Sequence, residues 1–275
     1  MLYTVDMTFF EAVTLGIVQG LTEFLPVSST GHLILARTLF GVDGGYGLAF
    51  DAVMHLATAL AVILYFRRDI WSLAQAALRK MGRMPVHKPD EILLYALAAG
   101  TAPAVILGLT LESLMETLFR SPLLVAGVLI AGSVLFMYAE WSYTTHNRDN
   151  TISAAKGFKI GLFQSLALIP GMSRSGASIA GGMLLGLSRE EAARFAFLLS
   201  VPVILGAGCK KLLELIAAGD AVSWFTVGIG AVVSFVVGLL AIHLMLSFVR
   251  KYSLWPFIWY RLILAFFVVF VVLFG

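Results

Sequence analysis

Charge is what this sequence has least of: Asp, Glu, Lys and Arg make up 13% of its 275 residues, against 60% hydrophobic residues. A water-soluble domain of that size needs far more polar surface, and the mean hydropathy of +0.93 excludes one. Cysteine is nearly absent as well. Cys209 stands alone, so no internal disulfide can form and the redox compartment stays unmarked. The first residues lack a basic run and carry Asp6 and Glu11 instead, so a cleaved signal peptide is not expected. A net charge of +3 gives no reason to expect a nucleic-acid partner, and the sequence pI near 9.0 reflects loop lysines and arginines of the kind that face the cytoplasm. What remains is an all-α integral membrane protein.

Within this apolar chain lies a polar island. Gly16 to Gly41 reads GIVQGLTEFLPVSSTGHLILARTLFG and collects Gln19, Glu23, Ser28, Ser29, Thr30 and His32. An ionised side chain at mid-bilayer costs about 2.5–3.5 kcal/mol even on the mildest scale, so such a group must be paired, hydrated or liganded. The island also recurs. Gly161 to Gly186 reads GLFQSLALIPGMSRSGASIAGGMLLG, which sets Gly161 on Gly16, Gln164 on Gln19, Ser173 on Ser28, Gly176 on Gly31 and Gly186 on Gly41. Each copy is a short apolar segment, a Pro/Ser/Gly break and a second short apolar segment, the pattern of two half-helices. The competing reading, two ordinary spanning helices per copy, needs more apolar residues than either half offers. The chain thus reads as a single membrane domain of two repeats, roughly residues 7–140 and 152–275.

Six further segments are long and apolar enough to span: Phe50 to Phe66, Ile92 to Leu111, Leu123 to Ala139, Ala193 to Gly208, Val222 to Leu246 and Pro256 to Phe274. After Phe66 a basic, proline-punctuated loop is expected. If both broken hairpins are re-entrant, one side collects Arg67, Arg68, Arg79, Lys80, Arg83 and Lys88, with Arg148, Lys156, Lys159, Arg189, Arg194, Arg250 and Lys251 from three other segments. The other side keeps Arg120, Lys210 and Lys211. That asymmetry makes the first side cytoplasmic and leaves both termini outside. Hairpin one then enters from outside and hairpin two from inside, as inverted-topology repeats whose tips meet near the midplane.

Gln19 and Glu23 lie four apart, on one face of a helix, and can grip one ion or polar ligand; the plainer reading is a buried acid tied to a neighbouring helix. One carboxylate with one amide suits Mg²⁺ or Ca²⁺ when a substrate phosphate completes the shell. Ser28, Ser29 and Thr30 fall where a helix N-cap belongs, and the same position aims amide N–H groups and the positive end of a helix dipole at an anion. Ser173, Arg174, Ser175 and Gly176 repeat the arrangement with a guanidinium added. Arg174 is suited to phosphate, and its plainer reading is a salt bridge to Glu23. His32 lies one turn beyond Ser28, which places its ring within reach of a hydroxyl at the break, the pairing that activates a nucleophile or protonates a leaving group. Asp51 and His55 form a weaker pair beside the site, and His243 reads as structural. Together these groups describe a pocket for a phosphate or diphosphate head with greasy walls, fitting a ligand with a long hydrocarbon tail.

LTEFLPVSSTGH at Leu21 to His32 and PGMSRSGASI at Pro170 to Ile179 resemble the two signature motifs of the bacterial undecaprenyl-diphosphatase, bacitracin-resistance family, and SLWPFIWYR at Ser253 to Arg261 resembles its closing segment. The resemblance covers essentially the whole chain. It implies an inner-membrane enzyme that removes the terminal phosphate of undecaprenyl diphosphate with a divalent cation, and the orientation read above, with hairpin one opening outward, sets the expected action on the periplasmic face. Gln19 and Glu23 fall on the family's acidic metal-binding and catalytic element, where a Gln in the first position cannot act as a base. Ser28, Ser29, Thr30 and His32 fall on one phosphate-handling element, and Ser173, Arg174 and Ser175 on the other. Attack by Ser29, by His32 or by water stays open at this level. A lipid flippase or anion carrier is the alternative from another class, since inverted repeats with broken helices also build transporters. A homodimer is compatible with either.

Overall fold

The computed structural model describes residues 7–40, 46–111, 121–146, 148–218 and 223–274. Asp6, Gly41, Arg120 and Val222 lie outside them. Among the described residues all regular structure is helical. The first pair is α1 (Phe9–Phe24) and α2 (Ser29–Phe40), followed by α3 (Tyr46–Tyr65), α4 (Arg67–Met81), α5 (Lys88–Thr110) and α6 (Pro122–Thr145). The second pair is α7 (Ala154–Ser165), extended by a 3-10 turn at Leu166–Leu168, and α8 (Arg174–Leu184); α9 (Arg189–Ala218), α10 (Trp224–Val249) and α11 (Trp255–Phe274) close the chain.

Local chemistry sets the ends of these elements. Thr8 and Glu11 form a reciprocal capping box on α1, Ser153 caps α7, and prolines open α5 and α6 where no amide partner is needed. Five helices, α5, α6, α9, α10 and α11, are each long and apolar enough to cross a membrane. A sixth candidate span comes from α3 with α4, which meet at 87°. The six apolar segments read from the sequence therefore correspond to α3, α5, α6, α9, α10 and α11.

One sequence expectation fails here. The stretch after Phe66 is not a loop but a helix of 15 residues, α4. No proline intervenes before Pro85, and apolar side chains at Ile70, Leu73 and Ala76 recur at helical spacing, so they can bury on the body of the protein while Arg68, Gln75 and Arg79 stay exposed.

The two repeats interlock. α1 packs on α10 and α7 on α5, so the first half-helix of each copy lies against a helix of the other copy, while α3 faces α9 and α6 faces α11. Small residues permit this closeness. A Cβ on Gly16 would stand 2.7 Å from the Gly230 carbonyl, and one on its counterpart Gly161 would run into the Gly100 carbonyl. The second pair also doubles back on itself: the Asp149 amide donates to the Gly186 carbonyl at 2.9 Å and the Ser188 amide to Asn150 at 2.7 Å, joining the segment before α7 to the end of α8. At this same end, ion pairs tie Asp69 to Arg194, Glu140 to Arg189 and Glu190 to Arg250. The loops whose basic residues were counted together thus share one end of the bundle.

Gly161→Val should destabilise the fold by about 1–3 kcal/mol through overpacking, whereas Gly127→Ala, whose added methyl meets nothing within 4 Å, should leave it nearly unchanged. Thermal unfolding of the detergent-purified variants measures both.

Candidate active site

The two breaks have the same local build. Each ends in a serine that caps the next helix from the left-handed region, Ser28 at φ 74° and Ser173 at φ 71°. The Ser28 hydroxyl accepts from the Gly31 amide at 3.4 Å and the Ser173 hydroxyl from the Gly176 amide at 3.2 Å, so equivalent residues of the repeats do the same work. Left-handed backbone costs a non-glycine residue about 1–3 kcal/mol, and such conformations collect at functional sites. Both caps leave first-turn amides at a buried helix start, the arrangement that favours an anion.

Glu23, at the last turn of α1, joins the breaks. It is buried, and Arg174 at the start of α8 pairs with its Oε1. Its Oε2 accepts from the Ser29 hydroxyl at 2.9 Å and from the Gln19 amide nitrogen at 2.9 Å, with His55 Nδ1 at 3.5 Å. The same Gln19 nitrogen lies 3.0 Å from His55 Nδ1. Gln19 Oε1 is buried without a hydrogen-bond partner among the described residues, as are both amide atoms of its repeat counterpart Gln164. Ser175 crosses between the copies, its hydroxyl donating to the Leu25 carbonyl at 3.2 Å and lying 3.2 Å from that of Ser173. Thr30 is exposed at the first turn of α2.

His32 departs from expectation. Its partners are not the serine hydroxyls of the break: Nδ1 lies 2.7 Å from the Ser28 carbonyl and Nε2 2.6 Å from the Tyr260 hydroxyl. The physical reason is that Glu23 is the stronger acceptor for Ser29, while the cap fold turns the Ser28 carbonyl toward the imidazole one turn on. A carbonyl only accepts, so Nδ1 carries a proton. Tyr260 can either donate to or accept from Nε2, so both charge states of the ring are satisfied.

Beneath both breaks sits Arg261, fully buried in α11. Its guanidinium donates to the Pro26 carbonyl at 3.4 Å in the first break and to the Gly171 and Met172 carbonyls at 3.1 Å in the second, and also to the Leu129 carbonyl at 3.2 Å and Ser133 at 3.4 Å. Gly171, at φ 101°, supplies the turn that brings its carbonyl there.

The family model described as Bacitracin resistance protein BacA matches residues 12–267. The chain belongs to this family. Undecaprenyl-diphosphatase from Rubrobacter xylanophilus is 45% identical to it over 262 residues, covering 94% of this chain and 96% of that protein. The proteins of the same name from Alteromonas mediterranea and Chloroherpeton thalassium are each 42% identical, over 259 and 275 residues, covering 94% and 95% of this chain and 97% and 95% of theirs.

Sequence reasoning thus named Gln19, Glu23, Ser29 and Arg174, which one contact network unites, and Ser28, Ser173, Ser175 and Gly176, which build the two caps. It missed Arg261 and Tyr260 and gave His55 only an auxiliary place. A signal for Arg261 was available: an arginine inside an apolar span needs partners as much as Arg174 does.

Removing Arg261 should loosen both breaks at once. Hydrogen bonds to a charged group contribute about 1.5–3 kcal/mol each, so Arg261→Met should lower thermal stability in detergent well beyond the effect of Tyr260→Phe, which cuts a single bond to His32.

Proposed function

We propose that the protein is a membrane phosphatase that hydrolyses undecaprenyl diphosphate to undecaprenyl phosphate and inorganic phosphate, recycling the lipid carrier of cell-wall synthesis and conferring bacitracin resistance. Family membership and the names of the similar proteins support the substrate. The observation that carries the chemistry is Glu23, which accepts the Ser29 hydroxyl from its own break while pairing with Arg174 of the other.

In this reading Arg174 and the first-turn amides of α2 and α8 hold the diphosphate and neutralise charge as it builds up on the phosphoryl oxygens. Ser29 Oγ attacks the terminal phosphorus and passes its proton to Glu23. The bridging P–O bond breaks, and undecaprenyl phosphate leaves with the bonding pair, taking a proton that His32 Nε2 passes through the Tyr260 hydroxyl. Water then attacks the seryl phosphate and gives its proton back to His32, while Glu23 returns its own to the departing Ser29 oxygen. Tyr260 keeps His32 hydrogen-bonded in both charge states. Gln19 cannot act as a base and serves as a ligand.

Among the described residues no three His, Cys, Asp or Glu side chains gather as a metal cage. The donors that are present suit a hard cation shared with substrate: Glu23, and the unpartnered Gln19 Oε1, would hold Mg²⁺ or Ca²⁺. Such an ion would supply charge neutralisation at the diphosphate. With the basic end of the bundle in the cytoplasm of the bacterial inner membrane, the α1–α2 break opens toward the periplasm as the outer member of an inverted pair.

Phosphate release from a polyprenyl diphosphate in detergent, without membrane or gradient, separates this reading from a flippase or anion carrier. Release should fall by at least about a hundredfold in Ser29→Ala, Glu23→Gln and Arg174→Ala, in keeping with the loss of a nucleophile, its base or a charge clamp, and a chelator should suppress it. Full turnover by Ser29→Ala would sink the serine route. In whole cells, Thr30→Cys in a Cys209→Ser background should react with a membrane-impermeant maleimide; protection until lysis would reverse the orientation.

A further inference from the structure

The active-site network leaves α4 unexplained. It is pinned to the body by Asp69 with Arg194 and Lys80 with Glu91, and it buries Leu73 and Ala76. Yet Trp71, Leu78 and Met81 are 67%, 66% and 83% exposed, and Ala74 is exposed with them. At about 100° per residue, positions 71, 74, 78 and 81 form a single stripe. Exposed Arg67 heads the same stripe one turn before Trp71, and the stripe adjoins the buried arc of Ile70, Leu73 and Ala76; apart from Arg67 and the ion-paired Asp69 and Lys80, this broad face is apolar, half on the protein and half uncovered. Opposite it stand Arg68, Ser72, Gln75 and Arg79. Arg68, Arg79 and Arg83 are exposed and form no ion pair among the described residues.

We infer that α4 is an interfacial helix seated on an anionic leaflet: Trp71, Ala74, Leu78 and Met81 enter the acyl boundary, and Arg68, Arg79 and Arg83 lie at the level of the lipid phosphates. Three observations select lipid as the occupant. α4 leaves the spanning direction of α3 at 87°, which lays it along the membrane plane. α3 and α5, the two helices that α4 packs against, also expose apolar side chains, among them Leu60, Leu64, Ile92 and Tyr95. Its spare charges are cationic, complementary to anionic headgroups, and a basic polar face opposite an aromatic-bearing apolar one is the composition of such helices.

The test uses the full-length protein with Cys209→Ser and one new cysteine, Leu78→Cys or Gln75→Cys, carrying a nitroxide label. It is reconstituted in bilayers of phosphatidylcholine alone or mixed with phosphatidylglycerol. The label at 78 should collide severalfold more with oxygen, relative to a water-soluble nickel chelate, than the label at 75. Phosphatidylglycerol should raise that ratio further, and the combined Arg68→Gln, Arg79→Gln, Arg83→Gln variant should lose the increase while keeping phosphatase activity. Equal nickel access at 78 and 75 would overturn the placement of the stripe. A ratio indifferent to phosphatidylglycerol would overturn the role of the arginines.

Discussion

Two helices stop inside an apolar body, and each stop leaves carbonyls with no amide to accept from. In water such groups are satisfied at little cost, but inside a membrane protein they must find partners within the chain. Arg261 meets that demand for both stops together, with one planar guanidinium shared between the Pro26 carbonyl and those of Gly171 and Met172. The breaks are therefore held at a fixed separation by a side chain that belongs to neither. The caps, the acid and the second arginine are all built on that platform.

Glu23 is the second organising group. A lone buried carboxylate would be expensive, and here Arg174 neutralises it while Ser29 and Gln19 donate to it. The plainer sequence reading of Arg174, a salt bridge to Glu23, is thus present in the fold, and it does not compete with the chemical one. A guanidinium has five N–H donors, and pairing with one carboxylate oxygen leaves others for a phosphate. The pair leaves Glu23 Oε2 to accept from the Ser29 hydroxyl across the break.

The basic end shows how one set of charges serves two purposes. Some are consumed in ion pairs that fasten α4, α6, α9 and α10 to one another. Others, on α4, stay unpaired beside exposed apolar side chains. An arginine-rich end that were only a topology signal would not need an uncovered apolar stripe next to it.

The sequence by itself determined the class, the six apolar segments, the duplicated breaks and most of the polar residues that meet there, because low charge, apolar run length and a repeated Pro/Ser/Gly interruption are local signals that survive without coordinates. It also placed Glu23 and Ser29 on either side of one break, six residues apart. Only the tertiary structure decided which hydroxyl met which acceptor: Ser29 went to Glu23, and His32 found Tyr260, 228 residues away. It also turned an expected loop into α4 and gave Arg261 its place. These outcomes depend on long-range packing, where the competition among several polar groups for a few buried partners is settled by geometry that no spacing along the chain encodes.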